Sequence, residues 1–166
     1  HDFTPYCGRG DSYLELRDFD KAIENYELAI KIDPKQALAW SGRGYAHLEL
    51  GHCKEANDDC QEAVRLDPYL AAAYLRRGYV YIRCEKDYQK GIADYTKAID
   101  LEKKFFYAWC ARGDAYVDLG EFEKALSDYN ETLAINPAYA SAWISRGRLH
   151  LKMGNTERGL ADLVAE

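Results

Sequence analysis

Residues 37–70 read ALAWSGRGYAHLELGHCKEANDDCQEAVRLDPYL, and two small-residue and apolar stripes at helical spacing run through them. Trp40, Gly44 and His47 share the first stripe, and Ala56, Cys60 and Ala63 share the second. A glycine at Gly51 separates the stripes and Pro68 closes the stretch, so the pattern predicts two antiparallel helices joined by a short turn. Gly44 and Ala56 permit close helix approach, and Trp40 fills the space beside them. One such pair cannot bury all of its apolar surface; stacked neighbours can.

The neighbours are present throughout the chain. An Arg-Gly pair recurs at Arg9-Gly10, Arg43-Gly44, Arg77-Gly78, Arg112-Gly113 and Arg146-Gly147, in steps of 34, 34, 35 and 34 residues. Four residues before each glycine stands an aromatic: Tyr6, Trp40, Tyr74, Trp109 and Trp143. Three after it come Tyr13, His47, Tyr81, Tyr116 and His150, and further on the small residues Ala22, Ala56, Gly91, Ala125 and Gly159. This 34-residue pattern resembles the tetratricopeptide repeat (TPR) family, in its aromatic, Gly, Tyr, Ala and Pro positions and over the whole chain. The resemblance implies an all-α, right-handed α-solenoid of antiparallel helix pairs. It is read as one domain over 1–166, with units 3–36, 37–70, 71–105 and 106–139 and a partial unit 140–166. The extra residue of the third unit is expected in the turn within Arg83–Asp87.

Arginine precedes the glycine in all five units, where the family usually has an apolar residue. A guanidinium facing the second helix needs a partner. One residue before the second-helix aromatic position stand Asn25, Asp59, Asp94, Asp128 and Asp162. The two columns predict a structural ion-pair ladder, Arg43 to Asp59, Arg77 to Asp94, Arg112 to Asp128 and Arg146 to Asp162. The rival reading is an arginine track for an acidic or phosphorylated ligand.

No catalytic, nucleotide or metal signature stands at usable spacing, so the expectation is no enzyme, no cofactor and no metal. His47 and His150 fill the tyrosine position of the repeat, and His52-Cys53 lacks a second ligand pair. A net charge of −6 with both signs scattered argues against nucleic acid and anionic membranes, and no apolar run approaches the roughly twenty residues of a membrane span. Five cysteines without a CxxC suggest reduced thiols and a cytoplasmic setting. The chain starts at His1 without an initiator Met and reads as a piece of a longer protein.

The resemblance also places the first helix of each unit on a concave wall. Its groove positions are Leu38, Tyr45, Leu75, Arg76, Tyr79, Arg83 and Tyr107, with Asp11, Asp114 and Arg148 towards the sides. Family members that grip chaperone C-terminal tails share a Lys, Asn, Asn, Lys, Arg clamp. The first three units here offer Cys7, Asp11, Gly42, Ala72 and Arg76, where only the arginine matches, so that partner is disfavoured. The expected function is a non-catalytic protein-interaction module binding a peptide segment of a partner. The alternatives are a regulatory or targeting domain of a multidomain enzyme, and a scaffold that self-associates through an uncapped C-terminal edge at Leu160, Leu163 and Val164.

Overall fold

The computed structural model describes residues 5–164, so positions 3–4 and 165–166 of the expected outer units lie outside the described residues. Among the described residues there are ten α-helices and no strand. They are α1 (Pro5–Glu15), α2 (Phe19–Ile32), α3 (Ala37–Glu49), α4 (Cys53–Leu66), α5 (Ala71–Glu85), α6 (Tyr88–Leu101), α7 (Phe106–Asp118), α8 (Phe122–Ile135), α9 (Ala140–Lys152) and α10 (Thr156–Val164). The chain packs as two compact units divided between Asp94 and Tyr95. In the first, α1 pairs with α2 and α3 with α4, and α5 packs on both α3 and α4. In the second, α7 pairs with α8 and α9 with α10.

The column aromatic does more than fill space. Trp40 Nε1 donates to the Pro34 carbonyl at 2.8 Å, Trp109 Nε1 to that of Lys103 at 3.0 Å, and Trp143 Nε1 to that of Pro137 at 2.8 Å. The Tyr74 hydroxyl reaches the Pro68 carbonyl in the same way at 3.2 Å. Each ring therefore ties the start of its helix to the turn before it. In these turns Asp33, Asp67 and Asn136 accept from the backbone N–H two residues on, the local bond that makes Asp and Asn turn formers.

The Arg-Gly glycine marks the helix crossing. A Cβ on Gly44 would lie 2.8 Å from Cys60 Sγ, and one on Gly147 would lie 3.0 Å from the Gly159 carbonyl oxygen. Alanine at either position would push the paired helices apart.

The third unit corrects one expectation. Its extra residue lengthens the helix rather than the turn: α5 has 15 residues against 13 in α3. Arg83, Cys84 and Glu85 are helical, and Lys86 then ends the helix in the left-handed region at φ 58°.

A second correction concerns the thiols. Cys53 and Cys84 form a disulfide across 5.7 Å between Cα atoms, whereas Cys7, Cys60 and Cys110 are buried thiols. Cys53 stands in the column of Phe19, Tyr88 and Phe122, and Cys84 in that of Leu16, Leu50, Leu119 and Met153. One covalent bond thus replaces an aromatic and an aliphatic position of neighbouring repeats. An odd cysteine count without a CxxC describes spacing along the chain. The repeat register, which brings positions 31 residues apart together, overrides it.

Candidate functional site

Four arginines of the repeated Arg-Gly pair lie against the second helix of their own repeat. Arg43 Nε and Nη2 donate to the two carboxylate oxygens of Asp59, both at 2.7 Å. Arg77 does the same with Asp94 at 2.7 and 2.8 Å, Arg112 with Asp128 at 2.8 Å twice, and Arg146 with Asp162 at 2.7 Å twice. These side-chain bonds hold the guanidinium pKa of Arg43, Arg77 and Arg112 above its ordinary value. The remaining nitrogen reaches back to the preceding repeat: Arg112 Nη1 donates to Thr96 Oγ1 at 3.0 Å and Arg146 Nη1 to Asn130 Oδ1 at 2.6 Å. Each guanidinium also lies over its repeat aromatic, 4.9 Å from the Trp40 ring centroid for Arg43 and 4.8 Å from that of Trp143 for Arg146. These arginines are engaged in structure, which leaves no arginine track for a ligand. Arg9 has Asn25 in its column instead of Asp; it is exposed and stacks on Tyr6 at 4.7 Å.

In the first unit, the face made by α1, α3 and α5 carries most of the expected groove residues. Tyr45 and Tyr79 are half-buried, with ring centroids 6.3 Å apart and tilted by 47°. The Arg76 guanidinium lies 5.7 Å over the Tyr45 ring, and its Nη1 donates to Ser41 Oγ at 3.3 Å. Room for that arginine follows from the repeat register. In the preceding repeat the equivalent residue is Gly42, whose Cβ would fall 2.6 Å from Cε1 of the Tyr26 ring. Cys60 stands where Tyr26 stands, and the smaller side chain admits Arg76. Burial pushes the Cys60 thiol up to about 12, so it is a packing residue and not a nucleophile. Arg83 pairs with Glu49 one repeat back, and Leu38 is exposed. Leu75 is not on this surface: it is 7% exposed and belongs to the interior, because α5 turns that position towards its neighbours.

Asp11 and Asp114 are exposed, yet each accepts a hydrogen bond from a buried tyrosine. The Tyr26 hydroxyl donates to Asp11 at 2.6 Å and that of Tyr129 to Asp114 at 2.6 Å. Burial, with these carboxylates beside them, raises both phenol pKa values well above 10. A buried hydroxyl needs an acceptor, and the pairing of Tyr with Asp in the first and fourth repeats is the sequence signal for it.

In the second unit, a cleft of about 300 Å³ opens on the face of α7 and α9. Asp114 and Asp118 line one wall, Arg148 and Lys152 the other, and Val117 and Leu149 the floor. Desolvation of its carboxyl raises the pKa of Asp114, although the residue keeps an open edge to solvent. Tyr107 is exposed, in a ring cluster with Phe106 at 4.1 Å and Tyr139 at 5.5 Å. No group of three or more metal-ligating side chains occurs among the described residues. Likewise no helix among them is long and apolar enough to cross a membrane.

Comparison with known proteins agrees with the geometry. A family model described as TPR repeat matches residues 10–51 and 113–154, and one described as tetratricopeptide repeat matches 71–105. No curated protein matches in a sequence search. Among solved structures, MamA is 26% identical, covers 94% of this chain and 91% of its own, and superposes with a TM-score of 0.73. A thermophilic TPR protein of Thermus thermophilus superposes with a TM-score of 0.85 at 21% identity, over 95% of this chain and 86% of that one. YrrB, described as a TPR protein with an unusual peptide-binding site, shares 21% identity with a TM-score of 0.66, over 99% and 84% of the two chains. The last two likenesses carry the fold alone. With the family models spanning more than half of its residues, this all-α chain of antiparallel helix pairs belongs to the tetratricopeptide repeat family.

Proposed function

We propose that this chain is a non-catalytic protein-interaction module that binds a segment of a partner on the first-helix face of its first unit. The observation that carries the reading is Arg76 over Tyr45 with Tyr79 beside it. Among the described residues no carboxylate pairs with Arg76, so a cation stands ready next to two ring faces. That combination suits a peptide with an aromatic or aliphatic anchor next to an acidic residue. Ordering a short segment consumes much of the gross interaction energy, so micromolar dissociation, about −8 kcal/mol, is expected. The Cys53–Cys84 bond favours a compartment where thiols are oxidised over the cytoplasm expected from the cysteine count.

The test is affinity capture from native extract, followed by calorimetry on the captured segment. Arg76→Ala is expected to weaken binding by roughly 2 kcal/mol, Arg76→Lys to recover only part of it, and Tyr79→Ala to lose apolar contact. Unchanged affinity in both alanine variants, with loss on changing the exposed Arg65 of α4, would move the site elsewhere.

A second reading has its own support. Leu160 and Val164 on α10 are 54% and 82% exposed, and we infer self-association through that edge. Sedimentation should show mass rising with concentration, and Val164→Glu should return a monomer. A clean wild-type monomer at high concentration ends this reading.

A further inference from the structure

We propose that the cleft bounded by α8, α9 and α10 binds a tetrahedral oxyanion, a phosphate group. It lies in the second unit, has a volume of about 350 Å³, and is lined by Asn130, Arg146, His150, Arg158 and Asp162 with Leu126 beneath. The interaction face proposed above belongs to the first unit, so the two readings stand or fall separately.

The repeat register points to this cleft. At the column after the Arg-Gly pair, three repeats place a tyrosine whose ring is covered by a lysine from the second helix. Lys21 lies 5.5 Å from Tyr13, Lys90 5.3 Å from Tyr81 and Lys124 5.2 Å from Tyr116. In these repeats each lysine also pairs with the acid three residues before it, Asp18, Asp87 or Glu121, where the fifth repeat has Asn155. The fifth repeat changes ring and cation together, to His150 and Arg158. The second repeat also has a histidine, but His47 Nδ1 meets His52 Nδ1 at 3.3 Å. His150 is 9% exposed, and its Nδ1 has no hydrogen-bond partner among the described residues. That nitrogen is closed to solvent, so the ring meets a ligand in the cleft through Nε2, on its open side.

The charges in the cleft resolve in favour of an anion. Arg146 and Asp162 neutralise each other, with both carboxylate oxygens of Asp162 taken by the fork at 2.7 Å. Arg158 is exposed and has no carboxylate partner among the described residues, so the cleft keeps one uncompensated positive charge. Asn130 Oδ1 accepts from Arg146 Nη1 at 2.6 Å, which leaves the amide nitrogen of Asn130 as a donor. Donors thus come from three helices: Asn130 on α8, His150 on α9 and Arg158 on α10. A phosphate presents three or more acceptor oxygens to three such directions, where a carboxylate presents two.

The probe is inorganic phosphate, titrated at constant ionic strength while the ring resonances of His150 are followed by NMR. The expected result is a saturable shift with dissociation on the order of 1 mM. Arg158→Gln, at an exposed position that leaves the fold intact, should weaken binding at least tenfold. His150→Tyr combined with Arg158→Lys reinstates the pair of the other repeats and should abolish binding with an unchanged circular dichroism spectrum. A phosphoserine tripeptide binding tenfold tighter than the free ion assigns the site to a phosphorylated side chain; equal affinity assigns it to the ion itself. Either supports the site. His150 resonances that stay put across the titration, or an Arg158→Gln protein that titrates like the wild type, overturn the proposal.

Discussion

Arg112→Met is expected to lower the unfolding free energy by about 3 kcal/mol, measured by urea denaturation. Asp128 is 3% exposed and takes both of its short side-chain bonds from that guanidinium. Methionine keeps much of the arginine volume and its packing over Trp109, but strands the carboxylate in the interior. The penalty comes from that stranded charge rather than from the net worth of the ion pair, because a buried pair spends much of its Coulombic gain on desolvation. Arg112→Met with Asp128→Leu should therefore recover most of the loss. A single-variant loss below about 1 kcal/mol would mean that water reaches Asp128 and the pair is only a surface bridge. Arg9→Met is the internal control, since Arg9 stacks on Tyr6 and has no acid in its column; its effect should stay within about 0.5 kcal/mol.

Gly42→Ala is expected to cost about 3 kcal/mol by the same measurement. In an open helix interior this substitution gains up to about 1 kcal/mol from propensity. Here the new Cβ would sit 2.6 Å from Tyr26 Cε1 and 2.7 Å from its Oη. The ring cannot retreat: a Cβ on Gly10 would fall 2.7 Å from the same Cε1, so glycines on two helices already flank it, and its hydroxyl is held by Asp11 at 2.6 Å. Steric displacement of a fully buried aromatic outweighs the propensity gain. In a Tyr26→Cys background, which copies the second repeat, Gly42→Ala should add almost nothing. A Gly42→Ala protein as stable as the wild type would show that Tyr26 has room to move.

Both expectations draw on the register of the repeat, and that register is legible in one chain. Periodicity is local: an aromatic, a glycine and a small residue at helical spacing define a pair of helices before any tertiary contact is known. Two columns that repeat in step, Arg with Asp in four of the five units, also reveal a partner. A guanidinium beside a second helix is viable only when paired, and repetition in four units makes coincidence untenable.

The tertiary structure decided which of the exposed-looking residues are free. Leu75 stands in a groove column of the sequence and lies inside, while Asp11 and Asp114 are acceptors for buried tyrosine hydroxyls. Sequence spacing gives the face of a helix, but whether a side chain meets solvent depends on the neighbouring repeat packed over it. Room for Arg76 depends on Cys60 in the repeat before, and the fate of His150 on the helix that follows. The disulfide is the clearest case. Cys53 and Cys84 fall in two different columns of two different repeats, and nothing along the chain links those columns. Only the stacking of one helix pair on the next brings the end of α5 against the start of α4, because inter-repeat packing sets distances that helical periodicity within a repeat does not contain.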